Sequence, residues 1–238
     1  MTGLGTLINT AAIVAGGLIG MISGRWLKDN YREILSKANA VAVLFVGISG
    51  TIANMIHIEG DSVSMEGSMM MIISLALGSL IGEFLDIDGR FIRFGEWLKQ
   101  KTGNAKDAQF VSAFVTASLT VCIGAMAIVG SIQDGLSGNY ETLAMKAVLD
   151  FAIIMVMAAS LGKGAIFSAI PVFILQGSVT LLAKLVAPLL SAAAISNLSL
   201  VGSVLIFCVG ANLLKDRTFR VANMLPAIVI AVIWTYIF

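Results

Sequence analysis

Apolar residues in this chain gather into long unbroken runs. A bilayer core about 30 Å thick takes roughly 20 apolar residues of helix. Eight runs approach that length: Leu4 to Ser23, Ala38 to Ile56, Gly67 to Leu85, Phe110 to Ile132, Leu143 to Leu161, Ala165 to Val186, Ile195 to Leu214 and Phe219 to Phe238. They predict an all-α fold, a polytopic transmembrane helical bundle of about eight spans in one domain over residues 1–238. Between the runs, two segments carry apolar residues at helical spacing. Leu27, Tyr31, Ile34 and Leu35 share one face of Leu27 to Lys37, and Phe91, Phe94, Trp97 and Leu98 share one face of Asp88 to Lys101. Both are expected to lie as amphipathic helices on the inner membrane surface, anchored to lipid.

Composition agrees with the runs. Of the 238 residues 58% are hydrophobic and 12% charged, against about 45–50% and about 25% in soluble domains. A net charge of +1 gives no reason to expect nucleic acid as a partner, but the placement of the charges is informative. If the N-terminus lies outside, the even-numbered spans return outward and the inside group holds Arg25, Lys28, Arg32, Lys37, Arg90, Arg93, Lys99, Lys101, Lys106, Lys163, Lys215, Arg217 and Arg220. Only Lys146 and Lys184 remain, inside spans near their outer ends. The outer loops carry His57, Glu59, Asp61 and Asp134 with no basic residue, an asymmetry that predicts an N-out, C-out chain. The first run lacks the basic leading region of a secretory signal peptide.

Small residues mark helix contacts. Gly16, Gly20 and Gly24 follow Ala12 at four-residue spacing in the first run, and Gly78 and Gly82 follow Ser74 in the third. Such faces let two backbones approach closely, within one chain or in a homo-oligomer. In the fourth run Ser112, Thr116 and Thr120 recur every four positions, as helix-packing hydroxyls or as a pore lining. Gly124, Gly130, Asp134, Gly135, Gly138 and Asn139 make its outer half the place to expect irregular backbone. Val46-Gly47 matches Val209-Gly210, and Gly17 has a counterpart in Gly177. These matches point to an inverted repeat, spans one to three (4–85) against spans six to eight (165–238), with 110–161 between them.

Ionisable groups at membrane depth are costly and mark sites. Asp150 lies seven residues into the fifth run, with Lys146 one turn earlier on the same face, placed to form an ion pair or part of an ion pathway. Asn9, Asn54, Gln176, Asn212 and Asn223 are further polar candidates within spans, and Glu83 stands near the inner end of the third. Pro171 and Pro226 each free a backbone carbonyl. Enzyme chemistry has little to build on: His57 is the single histidine, Cys122 and Cys208 sit inside spans, and no metal-binding or phosphate-binding spacing occurs. Asp86, Asp88 and Gly89 resemble the start of a calcium loop but lack its later ligands. Neither a cofactor nor a metal is expected.

Four motifs carry a resemblance. The run Leu7 to Gly20 (LINTAAIVAGGLIG), Gly78 to Glu83 (GSLIGE), Lys146 to Phe151 (KAVLDF) and Asn223 to Ala227 (NMLPA) resemble, in order, motifs of the YqgA/YdfK-like family of bacterial multi-pass inner-membrane proteins. The resemblance spans nearly the whole chain and implies a compact multi-pass membrane domain in the bacterial plasma membrane. It singles out Asn9, Glu83, Lys146, Asp150 and Asn223 among the polar candidates and supplies no substrate. The expected function is a secondary transporter of a small polar solute or ion. An oligomeric channel, and a scaffold or sensor whose basic helices recruit a partner, are the alternatives.

Overall fold

A computed structural model describes residues 2–59, 62–215 and 218–237. Asp61, Arg217 and the side chains of His57 and Glu59, which the charge argument places in loops, lie outside the described residues. Among the described residues the fold is all-α apart from one two-stranded hairpin. In order it forms α1 (Leu4–Gly24), α2 (Asp29–Met55), strands β1 (Ile56–Glu59) and β2 (Ser62–Met65), α3 (Ser68–Leu85), α4 (Ile87–Lys101), α5 (Phe110–Cys122), α6 (Ala125–Ser137) and α7 (Glu141–Leu161). A 3-10 turn (Lys163–Ser168) then leads into α8 (Ala169–Leu181), α9 (Ala183–Val186), α10 (Ala192–Leu214), α11 (Val221–Met224) and α12 (Pro226–Ile237).

Among the described residues six helical segments are long and apolar enough to cross a membrane. They comprise α1, α2 from Asn30, α3, α7, Lys163–Leu181 and α10. A seventh crossing exists if α5 and α6, bent by 62° to one another, count as one, and Val221–Ile237 is a shorter apolar stretch. Large apolar side chains such as Phe45, Leu80, Phe84, Val148 and Leu181 point outward from the bundle, as lipid-facing residues do.

Several expected elements take a different form. The segment from Leu27 to Lys37 is not a separate surface helix: from Asp29 it is the first part of α2, continuous to Met55. Arg32 closes the preceding corner, its Nε and Nη2 donating at 3.1 and 2.7 Å to the Gly24 carbonyl, which also accepts from the Leu27 amide. The second amphipathic segment, α4, lies on protein. Phe91 stacks on Phe114, Phe94 meets it edge-on, and Leu98 is buried with Phe110 and Phe114. Pro226 opens α12, so the last run is two helices meeting at Leu225. The hairpin, pairing Ile56 with Met65 and Ile58 with Val63, has no counterpart in the apolar pattern because its residues fall between two runs.

Glycine contacts give the helix directions. Gly16, Gly20 and Gly24 of α1 meet the backbone of Phe151, Met155 and Ala159 of α7 in the same order, so α1 and α7 are parallel. In α2, Gly47 meets Phe207 and Gly50 meets Ser203, while Gly210 of α10 meets Leu44; those two are antiparallel. Gly78 against Ala227 and Gly82 against Asn223 set α3 antiparallel to the α11–α12 stretch. The glycine faces of α1 and α3 are therefore spent on contacts within the chain. These directions bring the residues around Arg25, Arg90, Lys163 and Arg220 to one end of the bundle, where Lys163 Nζ reaches Asn104 Oδ1 at 3.5 Å and Arg220 reaches Glu83 at 2.5 Å.

A buried charged pair at a broken helix

The candidate site begins with the break between α5 and α6. Gly124 sits at φ 145°, ψ 148°, backbone space that side chains exclude. An α-helix reaching that position must stop, and the carbonyls of its last turn lose their partners. One of them, the Val121 oxygen, is taken by Lys146, whose Nζ donates to it at 2.8 Å. The same ammonium donates to Asp150 Oδ2 at 2.5 Å. Asn9 of α1 adds its Nδ2 to that oxygen at 3.0 Å. Asn9, Lys146 and Asp150 are 0, 6 and 3% exposed.

Gln176 shares this layer. On α8, Thr180 one turn away meets Thr6 of α1 at 3.4 Å, and Val172 one turn the other way packs in one cluster with Ile13, Val121 and Ile154. Asn9 lies between Thr6 and Ile13 just as Gln176 lies between Thr180 and Val172, so the two amides stand at one depth. Gln176 is 1% exposed, and neither of its amide atoms, nor Asn9 Oδ1, has a hydrogen-bond partner. Buried polar atoms are nearly always satisfied, which makes these three exceptions among the described residues.

A second polar cluster lies at the basic end. Glu83 accepts from Arg220 at 2.5 Å and from Asn223 Nδ2 at 2.6 Å, and Asn223 Oδ1 accepts from the Asp88 amide at 2.6 Å. Asn223 thus joins the end of α3, the start of α4 and α11. Truncating it, as in Asn223→Ala, removes both bonds and is expected to cost about 1–3 kcal/mol, read as a lower melting temperature of the detergent-purified protein. Beside this cluster opens a cavity of about 510 Å³. Asp88, Glu96 and Lys99 of α4, Ser112 and Thr116 of α5, and Asn212 and Arg220 line it. Ser112 and Thr116 therefore face open space, whereas Thr120 is buried and donates to the Thr116 carbonyl.

The remaining candidates stay apart from both clusters. Asn54 donates to Gly50 of its own helix and meets Ser196 across to α10. Asn212 ties down the chain beyond α10 through Phe219 N and O. The Asp86 side chain accepts from the Gly89 amide to cap α4 and pairs with Arg93. Asp134, expected in an outer loop, is fully buried on α6 and accepts from the Gly3 and Gly5 amides at 3.1 and 3.0 Å. It neutralises the positive end of α1.

The family described as "Protein of unknown function (DUF554)" matches residues 4–236. The chain belongs to that family. It is 31% identical over 226 residues to the "Uncharacterized membrane protein YdfK" of Bacillus subtilis (strain 168), covering 95% of this chain and 93% of that protein. It is 26% identical over 234 residues to the "Uncharacterized protein YqgA" of Escherichia coli (strain K12), covering 96% and 94%. No solved structure matches it significantly. Within this DUF554 chain the five polar residues of the motifs divide between two places. Asn9, Lys146 and Asp150 meet at the helix break, while Glu83 and Asn223 meet at the basic end.

Proposed function

We propose that this DUF554 protein is a secondary transporter of a small polar solute or ion across the bacterial inner membrane, with the basic end of the bundle facing the cytoplasm. The observation that carries the reading is the Lys146–Asp150 pair, fully enclosed and attached to the carbonyl that the α5–α6 break leaves open. Broken helices whose free backbone groups meet charged side chains in the bundle interior are the usual form of a transporter's binding centre. The cavity beneath, lined by Ser112 and Thr116, ends at Leu119. That is two residues from Val121, or roughly 3 Å along the helix axis.

Packing of α2 on α10 supports the inverted repeat. Gly47 meets the Phe207 amide and Gly210 meets the Leu44 amide, so each glycine touches the residue three before the other. Two helices exchanged by a local two-fold axis in the membrane plane make reciprocal contacts of this kind.

Reconstituted protein should show counterflow of a polar solute or ion that Asp150→Asn abolishes while the variant remains folded. Wild type and Asp150→Asn behaving alike with every coupling ion would remove Asp150 from the mechanism. The open cavity favours one other reading, a passive pore lined by α5, for which step-like single-channel currents without coupling would be the signature. Orientation has its own test. On a background with Cys122 and Cys208 replaced by Ser, Ser112→Cys and Thr116→Cys are expected to react with a membrane-impermeant thiol reagent only from the cytoplasmic face, and reaction from outside would reverse the chain.

A further inference from the structure

We propose that the pocket where α1, α2 and α7 meet at the basic end of the bundle binds the phosphate of an anionic membrane phospholipid. The pocket measures about 210 Å³ and has three cationic side chains in its wall, each from a different part of the chain. Arg25 follows the end of α1, Arg32 stands in the first turn of α2 and Lys163 opens the 3-10 turn beyond α7. Arg32 is already fixed in place, because its Nε and Nη2 donate to the Gly24 carbonyl at 3.1 and 2.7 Å. Two of the five N–H groups of a guanidinium are thereby used. The others, including both on Nη1, have no partner among the described residues. The Nη1–Nη2 edge keeps the paired donors that suit two oxygens of one phosphate. Arg25 has no side-chain partner among the described residues, and Lys163 has only Asn104 Oδ1, at a long 3.5 Å.

Charge sets the class of ligand. Among the lining residues, three cations stand against Asp107 and the carboxyl-terminal ends of α1 and α7, each end worth about half a negative charge. The surplus is about one positive charge, the counterpart of one phosphodiester. Asp107 is itself spent in part, since its Oδ1 accepts from the Gln109 amide at the start of α5. A headgroup that adds an ammonium to the phosphate would restore the surplus, so phosphatidylglycerol fits and phosphatidylcholine does not. Depth favours a lipid over a soluble phosphate. Ile22, Trp26 and Tyr31, next in sequence to the lining residues Met21, Arg25 and Arg32, are exposed. An outward Trp at the end of a span lies at headgroup level, and basic pockets between spanning helices hold anionic headgroups. A phosphate bound here would brace the end of the α1–α7 contact, where Gly24 meets Ala159. The pocket lies apart from the Lys146 layer, so this inference and the transport reading stand or fall separately.

The test is the melting temperature of full-length protein in a neutral detergent, with phosphatidylglycerol or phosphatidylcholine of the same acyl chains added. Wild type is expected to gain at least about 5 °C from phosphatidylglycerol at roughly a hundredfold excess over half-saturation, and little from phosphatidylcholine. Arg25→Gln/Lys163→Gln removes two exposed cations from the wall. Without lipid it should melt within about 2 °C of wild type, yet the preference for phosphatidylglycerol should be lost. Arg90→Gln/Lys101→Gln removes two exposed cations at the same end but outside the pocket, and should keep the preference. Where the first double variant does not purify, Lys163→Gln alone carries the comparison, with half-saturation weakened about fivefold. Wild type without a preference overturns the proposal. Equal loss in both double variants does so too, because it assigns the effect to diffuse surface charge. Inorganic phosphate matching the gain at equal concentration would also overturn it, putting a soluble anion in the lipid's place.

Discussion

Lys146→Met is expected to cost about 3–5 kcal/mol, among the largest losses available from a single side chain here, because it strands a carboxylate in the membrane interior. Asp150 would keep only the Asn9 amide, and the Val121 carbonyl would lose its donor. Converting the carboxylate to an amide removes the stranded charge, so Lys146→Met/Asp150→Asn should recover most of the loss. Melting of wild type, both single variants and the double variant forms a cycle, and coupling of about 2 kcal/mol or more is expected. Additive effects would mean that the two groups do not share a site. The cycle measures interaction, not net worth, since a buried pair replaced whole by neutral groups can be nearly neutral.

Gly20→Val is expected to be more severe still. A Cβ on Gly20 would collide with the Met155 carbonyl, and the same holds for Gly16 against Phe151. These are backbone atoms, which cannot rotate aside as a side-chain end would, so α1 and α7 would have to separate. Separation would also stretch the Asn9–Asp150 bond farther along the same face, and a cost above about 4 kcal/mol puts the substitution among exceptional cases. Loss of a monodisperse detergent-solubilised species is the expected readout. Leu18→Val on the exposed side of the same helix is the control, with no comparable loss; an equally well-behaved Gly20→Val would mean that the close approach is absent.

Much of this architecture was legible in the apolar runs, because span length is set by the bilayer and leaves a composition signal. Interruptions were less legible. The break at Gly124 was foreshadowed by glycines, yet a run from Phe110 to Ile132 reads as one span, since apolar character is the same on both sides of a bend. The α2 extension was misread as a surface helix because amphipathic periodicity does not reveal whether a helix continues into the next run. In the site, Lys146 and Asp150 could be paired from four-residue spacing alone, and motif resemblance separated Asn9 and Asn223 from the other asparagines without assigning them to different clusters. The meeting of Lys146 and Asp150 with Val121 could not be foreseen, because the third participant is a backbone oxygen and any residue supplies one. Asp134 was hidden for a related reason: its partners are the amides of Gly3 and Gly5, and its loop-like surroundings resemble those of an exposed acid.

The parallel union of α1 with α7 has a consequence for biosynthesis. Asn9 and its partner Asp150 are separated by 141 residues, so α1 enters the membrane long before the ribosome has made the helix that fills its glycine notch. During that interval its polar amide and its groove face lipid or the insertion machinery, and α2 through α6 must be laid down without closing over the vacancy. The arrival of α7 then delivers a charged pair and a backbone ridge to a seat prepared at the start of translation, before α8 to α12 complete the bundle.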